Sequence, residues 1–547
     1  MQKLLRKSKQ LFLTFINGLD DPSSSPPDPN SSAFLKHRWS DKLLGFFQVF
    51  IALVLSYLAF FSLTTFIMGM WTADTCISMN TVIFPIIAGL LFFITYSMLF
   101  KNITRKKAFT IGLVMVGIWT VISTMSRFEA TIDGLMLSTT LDQLNEGSID
   151  LLTSRYFAIC TNQFKYLMLL DIFNLTPPIY FTLNRIFYIL GFFMLGKITD
   201  VIHKDATKHV WLIYGIFFPF SLFTGFYYRD VIGTVLMICF IYNAMVIIKN
   251  NAKTIHYISL PVIALTGYLV HQEILIPVIA VAICFAIFKS VDRKVLIRKW
   301  ASLGMAIACL LSVNGLVSTY FNQRYNVKLP PSNSELSWVI MGNLPTEYNT
   351  EVRGISKDVE DWLTEGRWNG YVDYYYNNGV VNMEDIIELE KHDAKELFNY
   401  WKSNPLKYLN FVMNKVNKQW LEGTVESWVY GTTYTAGEER FPVNISNPSI
   451  AKTFIFDLTP FLFWSVVFKG YWVAAYCLVF YYFIKNRKEL SSSEYIILIT
   501  LVGGFAFSII HEAKPRYVMP FMIMLFPIIA IAFNKYCLNI KTKRKPR

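Results

Sequence analysis

Charged side chains lie close together at a few breaks between long apolar segments of the chain. Asp133 follows one such segment, Arg229 and Asp230 lie between two others, and residues 511–517 combine acidic, basic and aromatic types. A carboxylate can take the proton from an acceptor hydroxyl as a general base. Lys and Arg side chains can stabilise a phosphate group whose negative charge grows as its bond breaks. These residue types predict group transfer from a phosphate-linked donor to a hydroxyl.

The elements that position these residues must be membrane-spanning helices. Of the 547 residues, 54% are hydrophobic and only 16% are charged, against roughly 25% charged residues in a typical soluble domain. A soluble protein of this composition would expose adhesive apolar patches, and the chain is too rich in core-forming residues to be disordered. The composition therefore predicts an all-α polytopic membrane protein, with membrane lipids among its partners.

Twelve segments are apolar enough to span a membrane. A helix needs about 20 mostly apolar residues to cross a hydrocarbon core of roughly 30 Å. Lys and Arg follow every even-numbered segment, and both ends of the chain are basic, which is the pattern of cytoplasmic loops and termini. We therefore expect both termini in the cytoplasm and the breaks after odd-numbered segments outside. The segments are 44–69, 81–100, 109–126, 178–197, 209–226, 231–248, 256–271, 273–289, 300–319, 459–485, 494–511 and 517–537.

The net charge of +13 is unevenly distributed along the chain. Residues 320–458 hold 19 of the 38 acidic residues but 13 of the 51 basic ones, a net charge of −6 that leaves +19 on the remainder. A basic excess in short connectors and tails indicates membrane orientation, so we expect no nucleic-acid partner. The predicted regions are a cytoplasmic N-terminal tail (1–43), an additional transmembrane pair (44–108), a transmembrane core (109–319) with an external loop (127–177), an external acidic segment (320–458), and C-terminal transmembrane helices with a basic cytoplasmic tail (459–547).

This topology puts the candidate residues at one depth, near the outer headgroup layer. Arg185 lies in the outer part of the fourth segment, and residues 271–273 form a polar turn between the seventh and eighth. A sugar linked to a lipid phosphate would have its phosphate at this depth. Ordinary loop polarity with snorkelling side chains is the alternative interpretation. We assign no role to His271 and Glu273, because a lone exterior His is more often a solvated surface residue.

Residues 131–147, which contain Asp133, resemble the first external loop of the GT-C glycosyltransferase superfamily. In that superfamily an Asp follows a span and precedes helices that lie along the membrane, here expected at 135–144 and 164–173. Residues 512–520 resemble the Arg-Tyr stretch of bacterial members related to protein O-mannosyltransferases and lipid A aminoarabinose transferases. The resemblance covers roughly residues 109–540. It implies a GT-C-like bundle of about 12 transmembrane helices with juxtamembrane helices and an external, mostly helical segment.

The resemblance also implies an activity and roles for particular residues. The activity is transfer of a sugar from a polyprenyl-phosphate donor to a hydroxyl of an extracytoplasmic glycan, teichoic acid or protein acceptor, at the outer face of the cytoplasmic membrane. Asp133 is the implied general base, although a purely structural loop role is the alternative. The implied substrate-binding residues are Asp230, Arg185, Arg229, Glu512, Lys514, Arg516 and Tyr517, with Lys514 and Arg516 on the donor phosphate. No cofactor or metal ligand is assigned, but divalent-metal use stays open, because Gly134 stands where many relatives have a second acid.

A transporter or flippase of a lipid-linked saccharide is the alternative function. Such a protein would more often show repeat symmetry, interrupted helices and polar residues near the midplane of the membrane. Here the charges lie at the outer ends of the segments, and a large acidic region, which includes helix-like runs at 385–400 and 406–420, lies on one side only. This distribution favours an enzyme.

Overall fold

A computed structural model gives the fold, and every regular element in the residues that it describes is a helix. The described residues are 32–68, 83–125, 132–153, 157, 162–249, 252–288, 292–329, 339–340, 342–344, 383–421, 423, 425, 458–511 and 514–538. The helices are α1 (Ser32–Met68), α2 (Ile83–Phe100), α3 (Arg105–Met125), α4 (Ile132–Glu146), α5 (Gln163–Ile172), α6 (Pro177–Ile202), α7 (Thr207–Ile216), α8 (Pro219–Leu222), α9 (Asp230–Ile248), α10 (Thr254–Val270), α11 (Leu275–Ile287), α12 (Arg293–Tyr325), α13 (Met383–Ser403), α14 (Pro405–Trp420), α15 (Leu458–Asn486), α16 (Ser492–Ile510), α17 (Pro515–Met524) and α18 (Phe526–Phe533).

Among the described residues, seven helices are long and apolar enough to cross a membrane. An eighth span results if Pro515–Met524 and Phe526–Tyr536, which are bent by 46°, are counted as one. Three further apolar helices are shorter, namely Ile87–Phe100, Thr254–Val270 and Gln272–Ile287. The seven spans are Trp39–Ser62, Arg105–Thr124, Pro177–Ile202, Asp230–Ile248, Arg293–Tyr325, Phe463–Asn486 and Ser492–Ile510. The protein is thus an all-helical, multi-pass membrane protein, as its composition predicts.

Each of the twelve predicted segments coincides with one or more helices, but not all of them meet the length of a span. The fifth segment, 209–226, is broken into α7, α8 and a 3₁₀ turn at Phe223–Gly225. The break comes at Pro219, which begins α8 and has no backbone N–H to donate to the preceding turn. The first helix starts twelve residues before the predicted span, because the length of the apolar run predicts only the part of the helix that crosses the membrane.

Helix α9 lies at the centre of the bundle, where 89% of its residues are buried. It packs against α6, α10, α11, α16 and α17. Elsewhere, small residues let helices approach closely, as is common in membrane bundles. A Cβ on Gly112 of α3, for example, would come 2.7 Å from the backbone oxygen of Trp211 on α7. The central position of α9 means that its first residue, Asp230, lies among several neighbouring helices.

The predicted helices at 164–173 and 135–144 correspond to α5 and α4, and α5 is tied to the end of a spanning helix. Its Asp171 accepts hydrogen bonds from the hydroxyl groups of Tyr320 and Tyr325, each at 2.5 Å. Arg324 adds an ion pair, with its Nε 3.3 Å from the Asp171 carboxylate. These contacts fix α5 against α12 and, through α5, Asn162, which directly precedes it.

The predicted runs at 385–400 and 406–420 are confirmed as α13 and α14, and α14 packs on the end of α16. The Lys415 ammonium donates to the backbone oxygen of Ile509 at 2.9 Å, and Gln419 Nε2 donates to that of Ser508 at 3.1 Å. Trp420 Nε1 donates to Ser508 Oγ at 2.9 Å. The last carbonyl groups of a helix have no partner within it, so α14 completes the last turn of α16.

Candidate functional site

Three turns at the ends of buried helices enclose a cavity of about 370 Å³. They are residues 226–229 before α9, residues 271–274 between α10 and α11, and the connection between α16 and α17, of which His511 and Lys514 are described. The lining residues are Asn162, Tyr228, Arg229, Tyr268, His271, Gln272, Glu273, Leu275, Ile276, Phe507, His511 and Tyr517. Charged, aromatic and aliphatic side chains therefore share one concave surface, which is the usual character of a ligand site.

Polar side chains of α6 hold the first turn. Asn184 Nδ2 donates to the backbone oxygen of Phe226 at 2.9 Å, and the Tyr180 hydroxyl donates to that of Tyr228 at 2.5 Å. The turn leads directly into α9, whose first residue is Asp230. A carboxylate at this position is favoured by the partial positive charge of a helix N-terminus. The backbone thus fixes both Arg229 and Asp230 beside the cavity.

Two glycines make room for the second turn. A Cβ on Gly233 of α9 would come 2.7 Å from the Cβ of His271, and a Cβ on Gly267 of α10 would overlap the Cδ1 of Ile274. The His271 backbone N–H donates to the backbone oxygen of Gly267 at 2.6 Å. Because of this close packing His271 and Glu273 are only 7% and 8% exposed. The expectation of a solvated surface His is therefore wrong.

The third turn brings a buried cation to the cavity. Pro515 begins α17, where its fixed backbone angle suits the first helical turn. The guanidinium carbon of Arg516 lies 5.1 Å from the centre of the Tyr228 ring and 5.4 Å from that of Tyr517. Arg229 lies over the same Tyr228 ring at 5.3 Å. Two guanidinium groups therefore share one aromatic ring, an arrangement that cation–π attraction supports.

Acidic groups surround His271 in the second turn. The Nε2 of His271 lies 3.9 Å from Oδ1 of Asp230, and its Nδ1 lies 3.5 Å from Oε2 of Glu273. Burial lowers the pKa of His271 well below its usual value, and the charges of Arg229 and Arg516 lower it further. Burial raises the pKa of Glu273, with Asp230 adding to the effect. Both shifts favour uncharged side chains, because desolvation disfavours the ionised form.

The structure brings together five of the eight residues that the sequence predicts for the site. Arg229 and Tyr517 line the cavity, Arg516 packs on Tyr228, and Asp230 faces His271. Lys514 joins them through Tyr517, with its Nζ 5.8 Å from the ring centre.

Of the other three predicted residues, one does not line the cavity, and the side chains of two lie outside the described residues. Arg185 follows Asn184 on α6 but is not among the lining residues. Asp133 is the second residue of α4, and its side chain, like the whole of Glu512, lies outside the described residues. Within the described ranges, no group of three or more His, Cys, Asp and Glu side chains could hold a metal ion.

Sequence reasoning gave no role to several residues that the structure places in the cavity wall. The sequence contains a signal for His271 and Glu273, because they form a polar turn between two apolar segments. Tyr268, Ile276 and Phe507 had none, because apolar and aromatic residues occur throughout the spans. Only the packing of α10, α11 and α16 selects these three for the cavity.

Comparisons with known proteins do not identify a family. No family model matches the chain, and no curated protein matches it. One solved structure, the archaeal oligosaccharyltransferase AglB from Archaeoglobus fulgidus in complex with an inhibitory peptide and a dolichol-phosphate, is similar with a TM-score of 0.36 and 14% sequence identity. The similarity covers 80% of this chain and 52% of that one, so the chain spans about half the length of AglB. This degree of likeness assigns neither a family nor an activity to the chain.

Proposed function

We propose that the chain is a GT-C-type membrane glycosyltransferase that moves a sugar from a polyprenyl-phosphate donor to an acceptor hydroxyl. The supporting observation is the chemical division of the cavity between the Arg229 guanidinium, aromatic rings and an aliphatic wall, with Arg516 packed on one of those rings. The proposed site of action is the outer face of the cytoplasmic membrane, with both termini inside. The proposed acceptor is a cell-envelope glycan, a teichoic acid or a protein.

The cationic side of the cavity suits the donor phosphate. Arg229 and Arg516 both lie over Tyr228, within 5.3 Å of its ring centre. A guanidinium group binds phosphate oxygens through two parallel hydrogen bonds and keeps its charge when buried. Lys514 adds a third positive charge near Tyr517. These cations would stabilise the polyprenyl phosphate as it leaves the sugar.

The aliphatic side of the cavity suits the first part of the lipid chain. Leu275 and Ile276 of α11 and Phe507 of α16 line it. Leu275 and Ile279 are both exposed on one face of α11, and Ile510 is exposed on α16. Exposed apolar side chains on helices of a membrane bundle face lipid, so the cavity borders the hydrocarbon on this side. An amphipathic donor fits this arrangement better than a water-soluble nucleotide sugar.

The proposed reaction needs one base and one charge-stabilising group. Asp133 takes the proton from the acceptor hydroxyl, whose oxygen then bonds to the anomeric carbon. The bond from that carbon to the phosphate oxygen breaks, and its electron pair stays on the polyprenyl phosphate. The aromatic rings of Tyr228, Tyr268 and Tyr517 offer faces on which a sugar ring can stack. Asp230 would accept a hydrogen bond from a sugar or acceptor hydroxyl.

A reconstituted assay tests the proposal. The full-length protein is placed in liposomes with polyprenyl phosphates that carry radiolabelled glucose, galactose, mannose or N-acetylglucosamine. Envelope material from cells without the protein serves as the acceptor. We expect label to move from one of these lipids to the acceptor. Movement of intact lipid-linked sugar across the bilayer, without transfer, would instead support the transporter or flippase and overturn the proposal.

A further inference from the structure

Three buried polar side chains form a line at the wall of the cavity. Asp230 begins α9, His271 ends α10, and Glu273 follows in the turn, and their exposed fractions are 5%, 7% and 8%. His271 is the middle member, with Nε2 toward Asp230 at 3.9 Å and Nδ1 toward Glu273 at 3.5 Å. Arg229 and Arg516 are the charged groups that face this line from the neighbouring turns. The imidazole ring thus connects two carboxyl groups.

The backbone holds the imidazole in this position. The backbone N–H of His271 donates a hydrogen bond to the backbone oxygen of Gly267 at 2.6 Å. Because Gly233 has no side chain, it leaves the space that His271 occupies. Any residue with a Cβ at position 233 would meet the His271 Cβ at 2.7 Å. The ring therefore has little freedom to turn away from Asp230 or from Glu273.

The two atoms that face each other in the turn have no other hydrogen-bond partner. Nδ1 of His271 and Oε2 of Glu273 are both inaccessible to solvent, and neither makes a hydrogen bond. Buried polar atoms in native proteins are nearly always bonded. Their separation of 3.5 Å exceeds a hydrogen bond, but bonds in ligand-free sites are often long and shorten when the ligand binds. Each of these two atoms is therefore a candidate hydrogen-bond partner for the other.

With a neutral imidazole and an ionised Asp230, only one placement of the remaining protons satisfies the whole line. If Glu273 is protonated, it donates to Nδ1, and the Nε2–H of His271 points at the Asp230 carboxylate. If Glu273 is ionised, it accepts from Nδ1–H, and a bare Nε2 would oppose Oδ1 of Asp230. The first arrangement alternates donors and acceptors, whereas the second sets two acceptors against each other. The raised pKa of Glu273 and the lowered pKa of His271, both due to burial, agree with the first.

We propose that Glu273, His271 and Asp230 form a hydrogen-bond chain with one direction, in which His271 is a positioning residue for Asp230. Glu273 selects the Nε2–H tautomer, and that tautomer fixes the Asp230 carboxylate as an acceptor for a ligand hydroxyl. Only the last step, the binding of a hydroxyl of the sugar or of the acceptor, rests on the proposed function. The chain itself is a property of the folded protein and can be tested without a substrate.

Nitrogen NMR on the full-length protein in lipid bilayers tests the chain directly. The seven histidines are labelled with ¹⁵N, and the His271 signals are identified by their loss in His271→Gln. We expect a neutral imidazole with an unprotonated Nδ1, unchanged in Glu273→Gln, whose amide also donates to Nδ1. In Glu273→Ala we expect this tautomer preference to be lost. An Nδ1–H tautomer or an imidazolium in the wild type would overturn the chain, and so would one tautomer common to all three proteins.

Transfer measurements in the liposome assay test the positioning role. In His271→Gln the side-chain amide reaches the position of Nε2 and can still donate a hydrogen bond to Asp230. In His271→Asn the side chain is shorter, and its amide lies at the position of Nδ1. We expect His271→Asn to lower transfer about tenfold or more and His271→Gln to retain more activity than His271→Asn. His392→Gln on the exposed part of α13 is the control and should not change transfer. Equal losses in both His271 variants would overturn the positioning role.

The two experiments separate the two proposals. If the NMR signals show the expected tautomer but no variant or wild-type protein transfers sugar, the proposed function fails and the hydrogen-bond chain stands. If the wild type transfers sugar but its His271 carries the proton on Nδ1, the chain fails and the function stands.

Discussion

Two buried glutamates at opposite ends of the bundle differ in how the protein satisfies them. Glu494, at the start of α16, is 5% exposed, and both of its oxygens are bonded. It accepts from the Ser491 backbone N–H at 2.7 Å and from the Tyr482 hydroxyl at 2.5 Å. Glu273, in the wall of the cavity, is 8% exposed, and its Oε2 has no hydrogen-bond partner. A buried carboxyl that the protein satisfies fully stabilises the fold, whereas one left incomplete indicates a site.

The largest expected effect is a loss of sugar transfer on replacement of the proposed base. We expect Asp133→Asn to lower sugar transfer by about 10²–10⁴-fold, the usual contribution of a general base. The unfolding temperature should not change, because the substitution preserves shape. Transfer by the variant at the wild-type rate in the liposome assay would remove Asp133 as the base.

A cation at each end gives the second test. Arg516→Ala should lower transfer by about 10²–10³-fold, as loss of one group that stabilises a leaving charge does elsewhere. Arg105, whose guanidinium is 2.6 Å from Asp200, is the matched control away from the cavity. Arg105→Ala should leave transfer by the folded protein unchanged. Similar kinetics for the two variants would contradict the phosphate-binding role of Arg516.

Removal of Glu494, whose two oxygens both accept hydrogen bonds, should affect stability and not activity. Glu494→Ala leaves the Tyr482 hydroxyl and the Ser491 backbone N–H without their acceptor, at a cost of about 1–3 kcal/mol. We expect a lower unfolding temperature and normal transfer per folded molecule. The measurement is intrinsic fluorescence on heating, paired with the liposome assay. A loss of transfer at full stability would show that the end of the bundle opposite the cavity also serves the reaction.

The contribution of Glu273 to stability should change with pH in the opposite direction to that of a carboxylate that stabilises the fold in its ionised form. Because the folded-state pKa of Glu273 is raised above its unfolded value, the folded state binds a proton more tightly. Stability attributable to this group is present at low pH and is lost as the pH rises from about 4.5 toward the folded pKa. Asp230, His271, Arg229 and Arg516 are the charged or titratable groups that face it.

Glu273→Gln removes this titration while keeping the shape. The difference in unfolding temperature between Glu273→Gln and the wild type should therefore grow as the pH rises above about 4.5. The variant should be the more stable protein at the upper end of the range. A difference that is constant with pH would mean that the pKa of Glu273 is the same in the folded and unfolded chain.

The smallest expected effect concerns a cation at the edge of the site. The Lys514 ammonium lies 5.8 Å from the Tyr517 ring centre, farther from its ring than Arg516 is from Tyr228. A partly exposed charge of this kind contributes about 0.2–1 kcal/mol, so Lys514→Ala should raise the donor Michaelis constant only a few-fold. A loss as large as that of Arg516→Ala would make Lys514 the main phosphate ligand.

The sequence was sufficient for most of the helices and for the cations of the site. Apolar length alone locates the spans, and charged residues at their ends identify Arg229, Asp230 and Arg516. It was not sufficient for His271 and Glu273, because their burial depends on Gly233 and Gly267, which lie on two different helices. A single sequence does not say which glycine faces which turn.

The apolar length of a segment also does not predict breaks within its helix. Residues 209–226 are apolar throughout, and only the backbone chemistry of Pro219 divides them into α7 and α8. The same applies to the bend of 46° that separates the helices at 515–524 and 526–536. Hydropathy measures transfer into lipid and is insensitive to a missing backbone donor.

The contact of α14 with α16 sets an order of assembly. Lys415 and Trp420 bond to Ile509 and Ser508, which follow them by 94 and 88 residues in the chain. During synthesis α14 is therefore made well before the helix end that it completes. The Lys415 ammonium can reach the earlier backbone oxygen of Gly342, at 2.6 Å, but its second acceptor is made only with α16. The contacts between α14 and α16 thus form late in synthesis, and a chain cut short before α16 would have α14 without its partner.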